Sequence, residues 1–259
     1  MPSVPLSRLL PGAARSSTAE FFRHLARLAE LGPGREFVYV PCGRNGTAQL
    51  LAEASGATGA GVDPDPEVVA EAMDRARAAG LEERLHFAQA PAEDLPYKDG
   101  VFDVAVGGIE LGAVEDPACA VRELARVTRP LGSVVLSAVT WVGHVEPERR
   151  EEVVRRIGLR PLLLVEWKQM LRDAGVVDLR VENWPDPATV VDQTVALDGS
   201  SDPATLREAF VAFCRACRRW VQGDSVREEL RSLFTRERVL GLSLIKGVKW
   251  QDWPSSRGP

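Results

Sequence analysis

Apolar positions along the chain follow two alternating rhythms. The first is helical: Phe21, Leu25 and Leu28 recur at three- and four-residue steps, Ser17 and Glu20 are spaced as a capping box, and Gly32-Pro33 closes the run. This predicts a helix over Thr18–Leu31. Short apolar runs then predict strands at Phe37–Val40, Gly59–Val62, Leu85–Ala88, Phe102–Val106 and Ser133–Val139, as in parallel strands buried on both faces. Helical spacing predicts helices at Gly46–Ala54, Pro66–Ala79, Pro117–Thr128 and Leu164–Ala174. Two of them open on Asp-Pro, at Asp65-Pro66 and Asp116-Pro117, where Asp caps a free amide and Pro gives up no hydrogen bond. Strands and helices alternating through short loops make an α/β, doubly wound sheet.

The last third changes character. The run "VVDLRVE" alternates apolar and polar residues, which predicts an antiparallel strand with one wetter face. A helix opening at Asp202-Pro203 places Leu206, Phe210, Phe213 and Cys217 on one stripe, and a second carries Val226, Leu230, Leu233 and Phe234. Both are expected to pack over the carboxyl ends of the strands, with Phe210, Phe213, Leu230 and Phe234 inward. "GLSLIKGVKW" reads as a final strand and "PSSRGP" as a frayed tail. The expected organisation is a core over 1–184, a helical insertion over 185–239, and a last strand with tail over 240–259.

With 259 residues the chain can bury a sizeable core, and a net charge of −5 gives no general reason to expect nucleic acid. No apolar run reaches the ~20 residues that span a bilayer. The N-terminus is basic but lacks a long apolar stretch and a cleavage site, so the expected compartment is the cytoplasm. Four scattered cysteines make no disulfide framework. Cys214 and Cys217 form a C-x-x-C of helical character with no second pair nearby, so no metal is expected and Cys217 reads as a core residue. Oligomeric state is not legible.

The first strand runs into "VPCGRNGTA", a turn that opens a helix. In open α/β sheets, ligands bind at the carboxyl ends of strands near the switch in strand order. Gly43 removes a β-carbon where a cofactor would press on the backbone, and Asp63 ends the second strand, where a carboxylate can accept from a ribose diol. Two cofactors fit the turn. Pro41-x-Gly43-x-x-Gly46 keeps two glycines of the dinucleotide pattern G-x-G-x-x-G; Tyr39-x-Pro41-x-Gly43-x-Asn45 keeps one of the S-adenosylmethionine (SAM) pattern. On the turn alone the dinucleotide is slightly ahead.

The rest of the chain reverses that order. The segments "VPCGRNGTAQLLAE", "GAGVDPDPEVVAEA", "LHFAQAPAEDLPYKDGVFDVAV" and "DPACAVRELARVTRPLGSVVLS", in this order, resemble the class I SAM-dependent methyltransferases, especially the small-molecule group that includes quinone C-methyltransferases. "EWKQMLRDAGVVDLRVE" continues the likeness, which covers about two-thirds of the chain. The resemblance implies a Rossmann-like methyltransferase sheet with a helical cap before the last strand, SAM as cofactor, and a small, partly apolar acceptor. It implies that the backbone around Pro41, Gly43 and Asn45 lines the methionine half of SAM. Asp63 would take the ribose hydroxyls with Pro64 beside the adenine, Ala92 and Glu93 would flank the adenine edge, and Gly107 and Gly108 would lie beneath the sulfonium.

Several positions depart from the family. Its acidic residue in the first motif is Tyr39 here, which removes a carboxylate from beside the methionine portion. Pro41 replaces a glycine and suits a turn whose φ is already near −65°. Asn45 replaces another and is expected at positive φ, which Asn tolerates best among non-glycine residues. Pro91 stands where an aspartate near the adenine is frequent, and "GGIELGAVED" replaces a His-rich stretch.

Methyl transfer needs positioning, desolvation and at times a base. Glu110, just past the fourth strand, and His144, after the fifth, are the candidate bases, each set against a plain reading as a solvated loop residue. His24 is a weaker candidate and His86, inside a strand, reads as structural. Trp141 and Trp184 fit an apolar substrate wall, but aromatic residues near strand ends more often belong to the core. Arg207, Arg215, Arg218, Arg219, Arg227 and Arg231 mark the insertion, but with only four lysines in the chain arginine is its general surface cation. The alternative function is a non-catalytic methyltransferase-like partner subunit; a third keeps the cofactor for decarboxylation or cyclisation.

Overall fold

The computed structural model describes residues 12–157, 159–185, 232–234 and 237–251. The first helix, α1 (Gly12–Leu28), begins before the Ser17–Glu20 pair, so those residues lie inside the helix and do not cap it. Strand β1 (Glu36–Val40), helix α2 (Thr47–Ser55), β2 (Thr58–Asp63), α3 (Pro66–Ala78), β3 (Leu85–Gln89) and β4 (Phe102–Gly107) follow within two residues of the predicted bounds. After them come α4 (Pro117–Val127), β5 (Thr128–Trp141), α5 (Pro147–Ile157), a two-residue β6 (Leu162–Leu163), α6 (Leu164–Asp173), β7 (Val176–Trp184) and β8 (Leu240–Lys249). Both Asp-Pro starts act as read: Asp65 accepts from the Glu67 amide at 2.9 Å, and Asp116 from the Cys119 amide at 2.9 Å.

The strands form one sheet in the order β3-β2-β1-β4-β5-β8-β7, with β6 on the end of β5. β1 to β5 pair in parallel, whereas β8 runs antiparallel to both β5 and β7. Alternate side chains serve opposite faces. Phe37, Tyr39, Val104, Val106 and Val135 join α1, α2 and α3 in one core; Val38, Val40, Ala105, Val134 and Leu136 join α4 and α6 in the other. That two-sided burial is why the strands read as continuous apolar runs.

Polar residues in the recognised segments have structural work. Arg126 on α4 donates from Nη1 to the Tyr97 carbonyl at 2.7 Å and from Nη2 to the Leu95 carbonyl at 3.0 Å, and pairs with Glu123 and Asp99. Glu123 in turn accepts from the Leu95 amide at 2.9 Å. The "EDLPYKDG" loop is thereby clamped to the helix of "RELARV". Asp103 accepts from the Glu36 amide at 2.7 Å and pairs with Arg129, fixing the amino ends of β1 and β4.

Three elements were not expected: α5, β6 and a 3-10 helix over Ile109–Ala113. The segment "PERREEVVRRI" of α5 is dominated by charge and offers little apolar stripe, although Val153 is fully buried. Most of the anticipated insertion, including Phe210, Phe213, Leu230, the C-x-x-C and its arginines, lies outside the described residues. Both flanks of this segment meet the carboxyl edge of the parallel strands. Trp184 pairs with Leu242, Trp141 with Leu240, and the Val142 amide donates to the Val239 carbonyl at 2.9 Å. Leu233 is buried there and Phe234 packs partly buried against the same core. Among the described residues no helix is long and apolar enough to cross a membrane.

Leu124 on α4 is fully buried and touches the site-bearing β4 through Gly107. Leu124→Ala is expected to lower unfolding free energy by about 2–5 kcal/mol, measured by urea denaturation.

Candidate active site

Strand order reverses between β1 and β4: β1 leads out to β2 on one side and receives β4 on the other. This switch opens a crevice at the carboxyl ends of both strands. Val40 lies opposite Gly107, and the Gly108 amide donates to the Val40 carbonyl at 2.8 Å, so the two strand ends leave the sheet together. From Val40 the chain passes through a cis peptide to the buried Pro41.

The turn takes its shape from two glycines. Gly43 has φ 56° and Gly46 has φ 67°, both left-handed. Asn45 is not among the positive-φ residues, so the expectation placed on it is corrected: the left-handed duty falls one residue later, on Gly46, which starts α2. No side chain caps α2. The turn is instead braced from below by Thr47, whose hydroxyl donates to the Cys42 carbonyl at 2.7 Å. Arg44 ties it sideways to α3, reaching Glu71 at 2.5 Å and Asp65 at 3.0 Å.

Asp63 ends β2 beside this turn. Its Oδ2 accepts from the Gly43 amide at 2.9 Å and its Oδ1 from the Asp65 amide at 3.1 Å. The side chain is buried, and burial pushes its carboxyl up to about 6 against the pull of those two amides. Each oxygen keeps a lone pair beyond its backbone bond, so a diol at the crevice finds two acceptors in one plane. Next to it Pro64 is exposed, with its carbonyl accepting from Gln89 at 3.3 Å. Ala92 is buried, and Glu93 accepts from the Asp116 amide at 3.2 Å.

The other wall carries Gly107, Gly108 and Glu110. A β-carbon on Gly107 would stand 2.7 Å from Leu111 and Leu136 Cδ2, so that glycine is required by packing inside the core. Gly108 faces the turn: a β-carbon there would meet Tyr39 Cε1 at 2.8 Å, Glu110 Oε2 at 3.0 Å and the Pro41 carbonyl at 3.1 Å. A β-carbon on Gly43 would meet Glu110 Oε1 at 3.2 Å. Glu110 is therefore not a solvated loop carboxylate; it is folded back between the two glycines and against Tyr39. Both of its oxygens are shut off from solvent and neither has a hydrogen-bond partner from another residue. Burial pushes its carboxyl up to about 7, its own backbone amide opposing and Asp63 adding to the rise. Tyr39 is fully buried beside it, and burial first, then the Glu110 charge, holds the phenol well above its usual range.

His144 stands apart from this group. Its side chain is 82% exposed on the loop after β5, with Nε2 3.4 Å from Glu146. His24 bonds Glu182 at 2.6 Å, and His86 is exposed on the edge strand β3. Trp141 is buried under Arg150, whose guanidinium lies 5.6 Å from the ring centroid, and Trp184 packs edge-on to Phe21 at 5.3 Å. Both tryptophans serve the core. Sequence reasoning missed the Arg44 brace, for which the acidic start of α3 is the available signal.

Residues 38–136 match the model of a methyltransferase domain. The chain is 30% identical over 164 residues to the 27-O-demethylrifamycin SV methyltransferase of Amycolatopsis mediterranei, covering 62% of this chain and 60% of that one. It is 37% identical over 108 residues to the chloroplastic tocopherol O-methyltransferase of Arabidopsis thaliana, covering 41% of this chain and 30% of that one. The chain thus spans at most about 60% of the length of these curated relatives. Among solved structures, a geranyl diphosphate methyltransferase in complex with SAM superposes with a TM-score of 0.65 at 20% identity, over 91% of this chain and 85% of that one. The cyclase SpnF does so with 0.64 at 22%, over 90% and 81%. At such identities these structures establish the fold.

Both carboxyls titrate higher in the fold than their ordinary values of 4.5 for Glu110 and 3.8 for Asp63. The native protein therefore binds more protons than the unfolded chain in this range, and stability falls as pH rises. For Glu110 the window is about pH 4.5 to 7, and the rise converts to a loss of at most roughly 3 kcal/mol. Denaturation of ligand-free protein at pH 5 and pH 8 should show lower stability at pH 8. Pro41, Gly43, Asp63 and Gly108 converge at the β1/β4 switch, and all four lie within the stretch 38–136 that matches the methyltransferase-domain model.

Proposed function

We propose that the protein is a SAM-dependent methyltransferase that acts in the cytoplasm on a small, partly apolar acceptor. The observation that carries this reading is Asp63: a buried carboxylate at the end of β2, bonded to the Gly43 amide at 2.9 Å, in the crevice at the strand-order switch. The residues present fit the cofactor. Asp63 retains acceptor capacity for the ribose hydroxyls, Pro64 and Ala92–Glu93 border the adenine, and the backbone of Pro41 and Gly43 lines the amino-acid half. The uncapped start of α2 offers its amides to the same space.

When bound, the cofactor supplies an activated methyl group for in-line displacement. The chain's share is to fix that group at the carboxyl edge and to exclude water. His144, exposed and paired with Glu146, is ill placed for a base. The segment between β7 and β8 leaves and returns at the same edge, which supports assigning it to acceptor contact. Rifamycin and tocopherol methyltransferases among the relatives support a small-molecule acceptor. Free Cys42 and Cys119 accord with a reducing compartment.

Calorimetric titration with SAM and S-adenosylhomocysteine tests the reading. Wild type should bind both, and Asp63→Asn should weaken binding about 10- to 100-fold, the worth of a charge-assisted hydrogen bond. Because Asp63 also holds the Gly43 amide, a thermal melt of the variant accompanies the titration. An absence of binding in the wild type would favour a non-catalytic scaffold, and equal affinity in the variant would put the adenosyl group elsewhere.

A further inference from the structure

The geometry points to Glu110 as the counter-ion for the α-ammonium of the cofactor's amino-acid portion, a carboxylate supplied from the end of β4 instead of from β1. This rests on the reading that the crevice takes SAM.

Glu110 lies against the cofactor turn itself. Its Oε1 is 3.2 Å from where a β-carbon on Gly43 would be, and its Oε2 is 3.0 Å from the equivalent point on Gly108. It thus occupies the space that these two glycines keep open, beside the backbone that lines the amino-acid half. Neither oxygen touches solvent, and neither has a partner from another residue. A carboxylate in that condition is unfavourable by several kcal/mol unless a cation or donors reach it.

Among the described residues no cation faces Glu110. The titratable groups facing Glu110 are Tyr39 from β1, Cys42 from the turn and Asp63 from β2, all neutral or anionic. Arg44 is engaged by Asp65 and Glu71, and Arg75 sits over Gly46 with Glu71 at 3.8 Å and two of its nitrogens buried without a partner; neither arginine is among the charges that act on Glu110. A ligand group that satisfies this carboxylate is compact, positively charged and able to donate several hydrogen bonds. A primary ammonium has these properties.

Position 39 cannot do this work. Tyr39 is a fully buried phenol held protonated by its surroundings, with no acidic oxygen to offer. Its ring edge and the Glu110 carboxylate converge on the same point above Gly108. A carboxylate on β1 and one reaching back from β4 would compete for one volume, and here the second occupies it.

The test compares two ligands that differ by the amino-acid portion. S-adenosylhomocysteine carries the ammonium; 5′-methylthioadenosine keeps the adenosine and sulfur but lacks it. In calorimetry, Glu110→Gln should weaken S-adenosylhomocysteine about 10- to 100-fold and leave methylthioadenosine within about twofold. Glu110→Asp, which keeps the charge, should recover part of the loss. Wild-type affinity for S-adenosylhomocysteine, normalised to methylthioadenosine to remove the Asp63 titration, should fall about tenfold from pH 8 to pH 6 as Glu110 takes up its proton, and Glu110→Gln should show no such fall. Because the variant no longer buries an unpaired charge, its ligand-free melting temperature at pH 8 should equal or exceed that of wild type. Unchanged S-adenosylhomocysteine affinity in Glu110→Gln, or equal loss on both ligands, would overturn the assignment while leaving the cofactor reading standing. Failure of wild type to bind either ligand would overturn that reading and this assignment with it.

Discussion

The hydrogen bond from the Gly43 amide to Asp63 Oδ2, 2.9 Å long and buried, joins the turn after β1 to the end of β2. It forms only because β1 and β2 pair in parallel register, Tyr39 opposite Gly61, so that both strands reach the carboxyl edge at the same height. It also requires the left-handed φ of Gly43, since a side chain there would be strained by backbone and crowded by Glu110. The same carboxylate holds the Asp65 amide, which begins the capped entry to α3, and Arg44 returns from the turn to Asp65. Turn, strand end and helix start thus share one electrostatic frame.

That frame concentrates negative charge. Asp63 and Glu110 are both buried at the edge of one crevice, and each raises the affinity of its neighbourhood for protons or for cationic ligands. In a purely structural network the carboxylates would be matched by arginine, as Glu123 and Asp99 are matched by Arg126 on the other side of the sheet. The contrast between these two acidic groups is informative. One is neutralised within the protein and clamps a loop; in the other, Glu110 has no cation facing it among the described residues, at the edge where the fold places ligands.

The fold was legible because two-sided burial writes itself into sequence as apolar runs, and Asp-Pro marks helix starts with little ambiguity. β1 to β4 and α2, α3, α4 and α6 fall within two residues of their predicted bounds. Helix α5 was not legible, because "PERREEVVRRI" is stabilised by ion pairs such as Arg149 with Glu152 and Glu237 and not by a broad apolar face. The start of α1 was misjudged because a capping-box spacing recurs by chance inside helices. In the crevice, the placement of Gly43 and Asp63 beside each other was legible from strand ends alone. Asn45 was not: sequence cannot distinguish which of two adjacent turn residues, Asn45 or Gly46, adopts positive φ. The burial of Glu110 depends on the 3-10 helix folding it back toward β1, a tertiary event with no local pattern.

The departures in the first motif gain sense when volumes are compared instead of positions. Read along the chain, the family resemblance makes Tyr39 a lost acid, and Glu110 reads as a loop residue. In space the two side chains meet above Gly108, where a single β-carbon would touch both. Replacing a carboxylate on β1 by a phenol fills the core side of that contact, since Tyr39 packs against Phe22 at 6.5 Å between centroids and is fully buried. It also leaves the polar side open to a carboxylate from β4. The glycine at 108 then becomes obligatory, because any side chain would displace one partner or the other. Pro41 is tolerated because the bonds that flank it, from the Cys42 amide to the Val62 carbonyl and from the Gly108 amide to the Val40 carbonyl, need no amide at position 41.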